Sequence, residues 1–217
     1  MMVTLLGATG FVGKRLVARL LDAGLNVRVL VRTPDKLGDI AGKVSIVRGD
    51  FFSGEDIDAV IEGADAVMST IGPSKGEMSA FFADSCVRAM KHLLRAVKER
   101  GTKRLIFMAG AAMPVPEEKL HFTRGVMAAF IKMVAKPAWE GKVKEMAMAF
   151  ESDLNVTVIR PPMIRDLDYG DLAAHDSRIG GVFVDVNQLA AFMVDQLDGT
   201  DWIGKAPVVW TQRTARR

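Results

Sequence analysis

Three glycines recur at three-residue intervals in Gly7-Ala8-Thr9-Gly10-Phe11-Val12-Gly13, directly after the apolar run Met2–Leu6 and at the opening of an amphipathic stretch. The spacing alone is moderately informative; its position between a strand and a helix makes it specific. A strand that turns at once into a helix points unpaired N–H groups and the positive end of the helix dipole at one spot. Missing Cβ atoms let a diphosphate approach the backbone there. Beyond the loop, Val12, Leu16, Leu20 and Ala23 recur at helical spacing with Lys14, Arg15 and Arg19 off that stripe, and Gly24 can end the helix. The expectation is a helix packed on a sheet behind a dinucleotide's pyrophosphate.

The rest of the chain repeats this alternation. Strand candidates are Met2–Leu6, Asn26–Val31, Val44–Val47, Ala66–Thr70, Arg104–Met108, Val156–Ile159 and Pro207–Trp210, with helical stretches between them. That pattern predicts a Rossmann-type doubly wound α/β fold: a mostly parallel sheet of about seven strands with helices on both faces. Ser53 and Asp56 have the spacing of a capping box before Ile57, Val60 and Ile61. Pro114 and Pro116 precede a Met-rich stretch, and Pro137 divides it from a second helix, so residues 110–152 and 161–185 are expected to form a small helical cover over the pocket.

At 217 residues, 49% hydrophobic and 25% charged, the chain reads as one globular NAD(P)-binding domain spanning 1–217. Its longest uncharged N-terminal stretch, Met1–Gly13, is too short to span a membrane, and no signal peptide is recognisable. One cysteine, Cys86, allows no internal disulfide, so a cytoplasmic setting is expected. A net charge of +3 is modest, and the basic tail Arg213, Arg216, Arg217 reads as a solvated end. The expected partner is therefore a small molecule, with no nucleic acid, no membrane and a homodimer left open.

The second strand ends in Leu30-Val31-Arg32-Thr33, where an NAD-preferring site would place an acidic residue on the ribose hydroxyls. A guanidinium there suits a 2′-phosphate, and Lys36 or Lys14 can add positive potential, which favours NADP(H) over NAD(H). Asp50 and Phe51 follow the third strand at the sheet's C-terminal edge, where the Asp50 carboxylate either accepts from the adenine amino group or serves a turn. Thr70-Ile71-Gly72-Pro73 ends the fourth strand with residues that let the nicotinamide ribose lie against backbone. The expected cofactor-binding set is Gly7, Ala8, Thr9, Gly10, Phe11, Val12, Gly13, Arg32, Asp50, Phe51, Thr70, Ile71 and Gly72. No metal site is expected, because His92, His121 and His175 are far apart, and Asp166, Asp168 and Asp171 lack the rest of a calcium loop.

GATGFVG, the Val-Arg-Val-Leu-Val-Arg strand, Gly49-Asp50, Ile71-Gly72 and Val158-Ile159-Arg160-Pro161 resemble the atypical short-chain dehydrogenase/reductase superfamily. Within it the chain is similar to the NmrA-like, NAD(P)-binding branch that includes flavin reductase and biliverdin reductase relatives. The likeness extends to Asp185–Leu197 as a late helix and Trp202–Val209 as a last strand. It implies fold and cofactor; the chemistry is less settled, since reductases, sensors and assembly factors share this scaffold.

Alcohol-acting members use a Tyr-x-x-x-Lys pair and a hydroxyl after the fifth strand. Here the single tyrosine, Tyr169, is followed four residues on by Ala173, and the fifth strand runs into Met108-Ala109-Gly110-Ala111-Ala112. Lys142 falls near the family lysine, with Ala138 at its tyrosine's place, and reads either as a ribose contact or as a solvated lysine. An acceptor such as a flavin or quinone takes hydride at one atom and a proton from water, so an NADPH-dependent reductase of a flat acceptor is expected. Phe107, Met113, Phe122, Val126, Met127, Phe130 and Met133 are either its wall or ordinary core, and His121 is a candidate proton donor. No catalytic residue is assigned. The alternative is a non-catalytic NADP(H)-binding redox sensor or scaffold.

Overall fold

A computed structural model describes residues 1–54, 56–72, 79–116, 118–168 and 170–212. Six parallel strands form the central sheet in the order β3-β2-β1-β4-β5-β6, where β1 is Met2–Leu6, β2 Asn26–Val31, β3 Ser45–Arg48, β4 Ala66–Ser69, β5 Arg104–Met108 and β6 Asn155–Ile159. The order reverses at β1, which pairs with β2 through Leu6↔Leu30 and with β4 through Leu6↔Ser69. A crevice opens beyond the carboxyl ends of strands at such a reversal, and ligands of doubly wound sheets bind there.

Strands buried on both faces carry apolar side chains at consecutive positions, which is why the sequence shows runs rather than alternation. Leu5, Met68 and Ile106 face helices α1 (Phe11–Asp22) and α5 (Val186–Asp195), packing against Leu16, Leu20, Leu189 and Met193. Leu6, Val67, Leu105 and Phe107 face the other layer, α2 (Ile57–Ile61), α3 (Ala80–Glu99) and α4 (Phe122–Phe150), with Val60, Leu93 and Met146 among their partners. The result is three layers with a core on each side of the sheet.

The sheet has six strands where seven were expected. The segment read as Pro207–Trp210 forms a strand, Val208–Gln212, but its ladder is antiparallel to Asp171–His175. Beside β6 it makes only isolated bridges, Thr157↔Lys205 and Arg160↔Val208. Val158 donates to the Lys205 carbonyl and Arg160 to that of Pro207, but Pro207 has no N–H to return to β6, so the ladder breaks there.

Two other expectations are corrected. The described residues of 161–185 are not helical: they carry the short strands Met163–Arg165, Asp171–His175 and Phe183–Asp185. The capping box before Ile57 does not form, since Asp56 adopts a left-handed conformation at φ 60 without a side-chain cap bond, and Ser53 Oγ instead donates to the Asp50 carbonyl. The expected division near Pro137 is present: two helical segments meet at a kink where Ala135, two residues before the proline, leaves helical geometry (φ −144, ψ 43). Tyr169, Pro73 and the tail Arg213, Arg216, Arg217 lie outside the described residues.

Candidate functional site

The glycine loop closes on itself before α1 begins. Gly7 takes φ +89, a conformation that disfavours any side chain, and the Gly10 N–H donates to the Gly7 carbonyl at 3.0 Å. Intrahelical bonding starts with Lys14 N–H to the Gly10 carbonyl at 3.0 Å, so the N–H groups of Phe11, Val12 and Gly13 have no helical partner. The N-cap, Gly10, offers no side chain, and no acidic residue occupies the first turn. A twelve-residue helix thus ends in bare amides at the crevice, an arrangement that attracts an anion. Gly13 lets the helix sit this close: a Cβ there would lie 2.0 Å from the Gly7 carbonyl oxygen.

A groove of about 220 Å³ runs from this loop across the ends of β1, β2, β3 and β4, lined by Gly7, Thr9, Gly10, Arg32, Asp50, Phe51, Thr70, Ile71 and Gly72 among others. Nine of the expected cofactor residues therefore meet on one surface. Ala8, Val12 and Gly13 are buried beneath it, and Phe11 stands half-exposed outside it with the Arg15 guanidinium over its ring at 5.1 Å. Arg32 is exposed at the groove's rim, whereas Lys14 and Lys36 are not among its lining residues. The Asp50 Oδ1 accepts from the Phe52 N–H at 3.1 Å, so this carboxylate holds a turn and also lines the groove.

Beyond Thr70, Ile71 and Gly72 lies a second, apolar cavity of about 380 Å³ that shares those three residues as a wall. The Thr70 hydroxyl donates to the Gly7 carbonyl at 3.2 Å, tying the shared wall to the glycine loop. The cavity's other sides come from β5 and its continuation (Met108, Ala109, Gly110, Met113), from Pro161, Pro162 and Ile164, and from α4 (Ile131, Val134, Ala135, Ala138, Trp139, Lys142). Ile131, Ala135, Ala138 and Lys142 lie on one helical face. The wall expected from sequence is largely elsewhere: of that set only Met113 lines the cavity, Phe107 is core, and Phe122, Val126, Phe130 and Met133 are exposed. His121 is exposed, its Nδ1 3.3 Å from the Thr123 hydroxyl, away from the lining.

Polar groups in this second cavity are few. Lys142 is one of its lining residues, and its ammonium pairs with the buried Glu145 carboxylate at 2.6 Å. Trp139, another lining residue, has a buried indole N–H with no hydrogen-bond partner among the described residues. Ala138 stands one helical turn before Lys142, both facing the cavity.

Residues 7–200 match the family of NAD(P)H-binding proteins. The chain belongs to that family. The NAD(P)-binding kinship expected from the glycine loop and strand ends is borne out. It is 30% identical to the dihydroflavonol 4-reductase of Zea mays over 75% of this chain and 52% of the maize protein. It is 33% identical to the (4-alkanoyl-5-oxo-2,5-dihydrofuran-3-yl)methyl phosphate reductase of Streptomyces griseus over 43% of this chain and 33% of that protein. The chain thus spans about half or less of these curated relatives. A short-chain dehydrogenase/reductase from Veillonella parvula, solved in complex with NADP, shares the fold at TM-score 0.78, 15% identity, 96% coverage of this chain and 94% of that one. The oxidoreductase ylbE of Lactococcus lactis does so at TM-score 0.77, 20% identity, 99% and 93% coverage.

Sequence reasoning missed a buried charge cluster at the edge of the fold. Arg124 and Arg160, both buried, converge on one carboxylate, Glu118. Arg124 Nε donates to the Ala111 carbonyl at 2.7 Å and its Nη1 to that of Ser177 at 2.8 Å. Arg160 Nε donates to Ala206 at 2.7 Å, and its amino groups to Met113 at 2.8 Å and Asp176 at 2.7 Å. Burial pushes the Glu118 carboxyl up, but hydrogen bonds from Arg124 and Arg160 outweigh it and hold the group below its ordinary range. Arg104 is likewise buried, lowered to about 10 by burial among the uncharged oxygens of Gln196, Asn155 and Thr157. A signal existed: Arg124 falls at helical spacing with buried Ala128 and Ala135, which marks the inward face of α4.

Proposed function

We propose that this protein is an NADPH-dependent reductase of a flat acceptor such as a flavin or quinone. The observation that carries the reading is the shared wall Thr70-Ile71-Gly72, which joins an anion-attracting groove to an apolar cavity. A dinucleotide lying along the groove with its diphosphate at the Gly10 turn would bring its nicotinamide to that wall, facing whatever fills the cavity. The nine expected residues that line the groove are then cofactor contacts, and Ala8, Val12 and Gly13 act from below by shaping the loop.

A lining of Met108, Met113, Ile131, Ile164 and Trp139 suits a planar, largely apolar ring system. Lys142 and the Trp139 indole N–H offer donors to an oxygen on its rim. Ala138 at the tyrosine's place supports an acceptor that needs no protonation by a protein hydroxyl. The curated relatives from Zea mays and Streptomyces griseus are reductases by name.

Mixing the pure protein and NADPH with riboflavin, FMN and water-soluble quinones should consume the cofactor absorbance at a rate proportional to enzyme. Tight NADPH binding without turnover across that panel would instead make the protein a redox sensor or scaffold. Cofactor choice rests on Arg32. Its replacement by alanine is expected to weaken NADPH by about 1.5–3 kcal/mol, roughly ten- to a hundredfold, and to leave NADH affinity nearly unchanged. Separate calorimetric titrations check this, and an equal loss for both nucleotides would remove the guanidinium from the 2′-phosphate.

A further inference from the structure

The first half of α4 turns an apolar face to solvent. Phe122 is 80% exposed, Val126 56%, Phe130 60%, Met133 74% and Val134 59%. These positions fall within one side of the helix at spacings of four, four, three and one. Inward positions of the same segment, Arg124, Ala128 and Ala135, are buried, so the stripe is what remains after α4 has packed on the protein. Soluble surfaces rarely leave such a row uncovered.

Charge indicates what covers it. From Lys119 to Trp139 the chain has three lysines and one arginine and no acidic residue. Arg124 is consumed by Glu118 and Lys136 lies 3.9 Å from the Glu140 carboxylate in an exposed pair, while Lys119 and Lys132 are exposed around the stripe, Lys132 over the Trp139 ring at 5.0 Å. A second copy packed face to face would bring Lys119 and Lys132 of both copies together, with no acid between Lys119 and Trp139 to compensate them. The stripe is also small: about 20 Å of helix, about 10 Å wide, presents roughly a quarter of the ~800 Å² per partner that a stable dimer needs. An apolar face flanked by lysines matches a helix lying in the headgroup layer of an anionic bilayer. Among the described residues no helix is long and apolar enough to cross a membrane; surface attachment requires none.

We propose that residues 122–134 dock this protein on an anionic lipid surface. Val134 belongs both to the stripe and to the wall of the apolar cavity, beside Ile131 and Ala135. Across the cavity, Met163 sits between the lining residues Pro162 and Ile164, is half-exposed, and donates its N–H to the carbonyl of exposed Val182. Docking therefore sets the cavity's rim at the lipid, and its occupant is a lipid-dissolved quinone; this last step rests on the reductase reading.

The test is flotation of the purified protein with vesicles of phosphatidylcholine alone and of equal parts phosphatidylcholine and phosphatidylglycerol, beside Phe122→Ser/Phe130→Ser. Wild type should float with the anionic vesicles and less so in high salt. The double variant should bind at least about tenfold more weakly, with NADPH turnover of a water-soluble quinone in vesicle-free buffer unchanged. No flotation with anionic vesicles, or flotation retained by the double variant, overturns the proposal. So does a dimer in light scattering that the double variant dissolves. Flotation as expected with no acceptor reduced would leave the lipid surface standing and end the reductase reading instead.

Discussion

Gly13→Ala is expected to abolish measurable NADPH binding and to lower the melting temperature, whereas Gly10→Ala should lose affinity with little change in melting. A methyl group on Gly13 would meet the Gly7 carbonyl oxygen at 2.0 Å, the Gly7 carbonyl carbon at 2.8 Å and the Ala8 Cα at 2.9 Å. All three are backbone atoms of the loop that shapes the groove, and none can rotate away. Relief requires the start of α1 to move about 1 Å from β1, which disturbs Val12 and Leu16 in the core at a cost of roughly 1–3 kcal/mol. The same shift carries the bare amides off the diphosphate, and charge-assisted bonds to two or three of them correspond to a hundredfold or more in affinity. At Gly10 the nearest atom to an added methyl is the Gly7 carbonyl oxygen at 3.3 Å, so the fold tolerates it, but the methyl enters the groove that Gly10 lines. Thermal melts and nucleotide titrations of both variants check this. A Gly13→Ala protein that binds NADPH normally would show that the loop's close packing has no part in the site.

The glycine loop and the six strands of the central sheet were legible because their cause is local. A buried parallel strand needs a short apolar run, and a helix on a sheet needs a stripe, so β1, β2 and β5 fall where the pattern puts them. What failed depended on contacts distant in sequence. Ser53 and Asp56 have the spacing of a cap, yet Asp56 packs over Gly49, whose added Cβ would sit 2.8 Å from the Asp56 carboxylate, and the left-handed turn takes over. The last strand carries β propensity, but Pro207 decides which neighbour it can bond. In α4 the pattern gave a helix without saying which face looks inward. Phe122, Phe130 and Met133 looked like the pocket wall, while Ile131, Ala135, Ala138 and Lys142 form it. Arg124 pointed to the answer, because a buried arginine must find its acceptors inside.

That arginine makes Glu118 the residue whose loss should destabilise the fold most. Two guanidiniums stand almost wholly buried, with one carboxylate between them and the carbonyls of Ala111, Met113, Ser177, Asp176 and Ala206 around them. The cluster joins the chain after β5, the first turn of α4, the end of β6 and the turn at Asp176–Ser177, four segments that no helix or strand connects directly. Glu118→Gln keeps the shape and removes the one carboxylate both guanidiniums bond, leaving Arg160 only the more distant charge of Asp176, and breaking such a buried pair costs about 3–5 kcal/mol. For a domain of this length that is a fall of roughly 10 °C in melting temperature. The sign with pH follows from the lowered carboxyl. Its contribution is fully present above its ordinary value of 4.5 and is lost as pH falls through the lower folded value. The stability gap between wild type and Glu118→Gln should therefore be widest near neutrality and close in acid. Glu118 lines neither the nucleotide groove nor the apolar cavity, so NADPH affinity at a temperature where the variant is folded should be close to wild type. Denaturant melts at several pH values with a parallel titration separate the two properties. A gap that stays constant into acid would mean that the Glu118 charge is not what holds the two arginines.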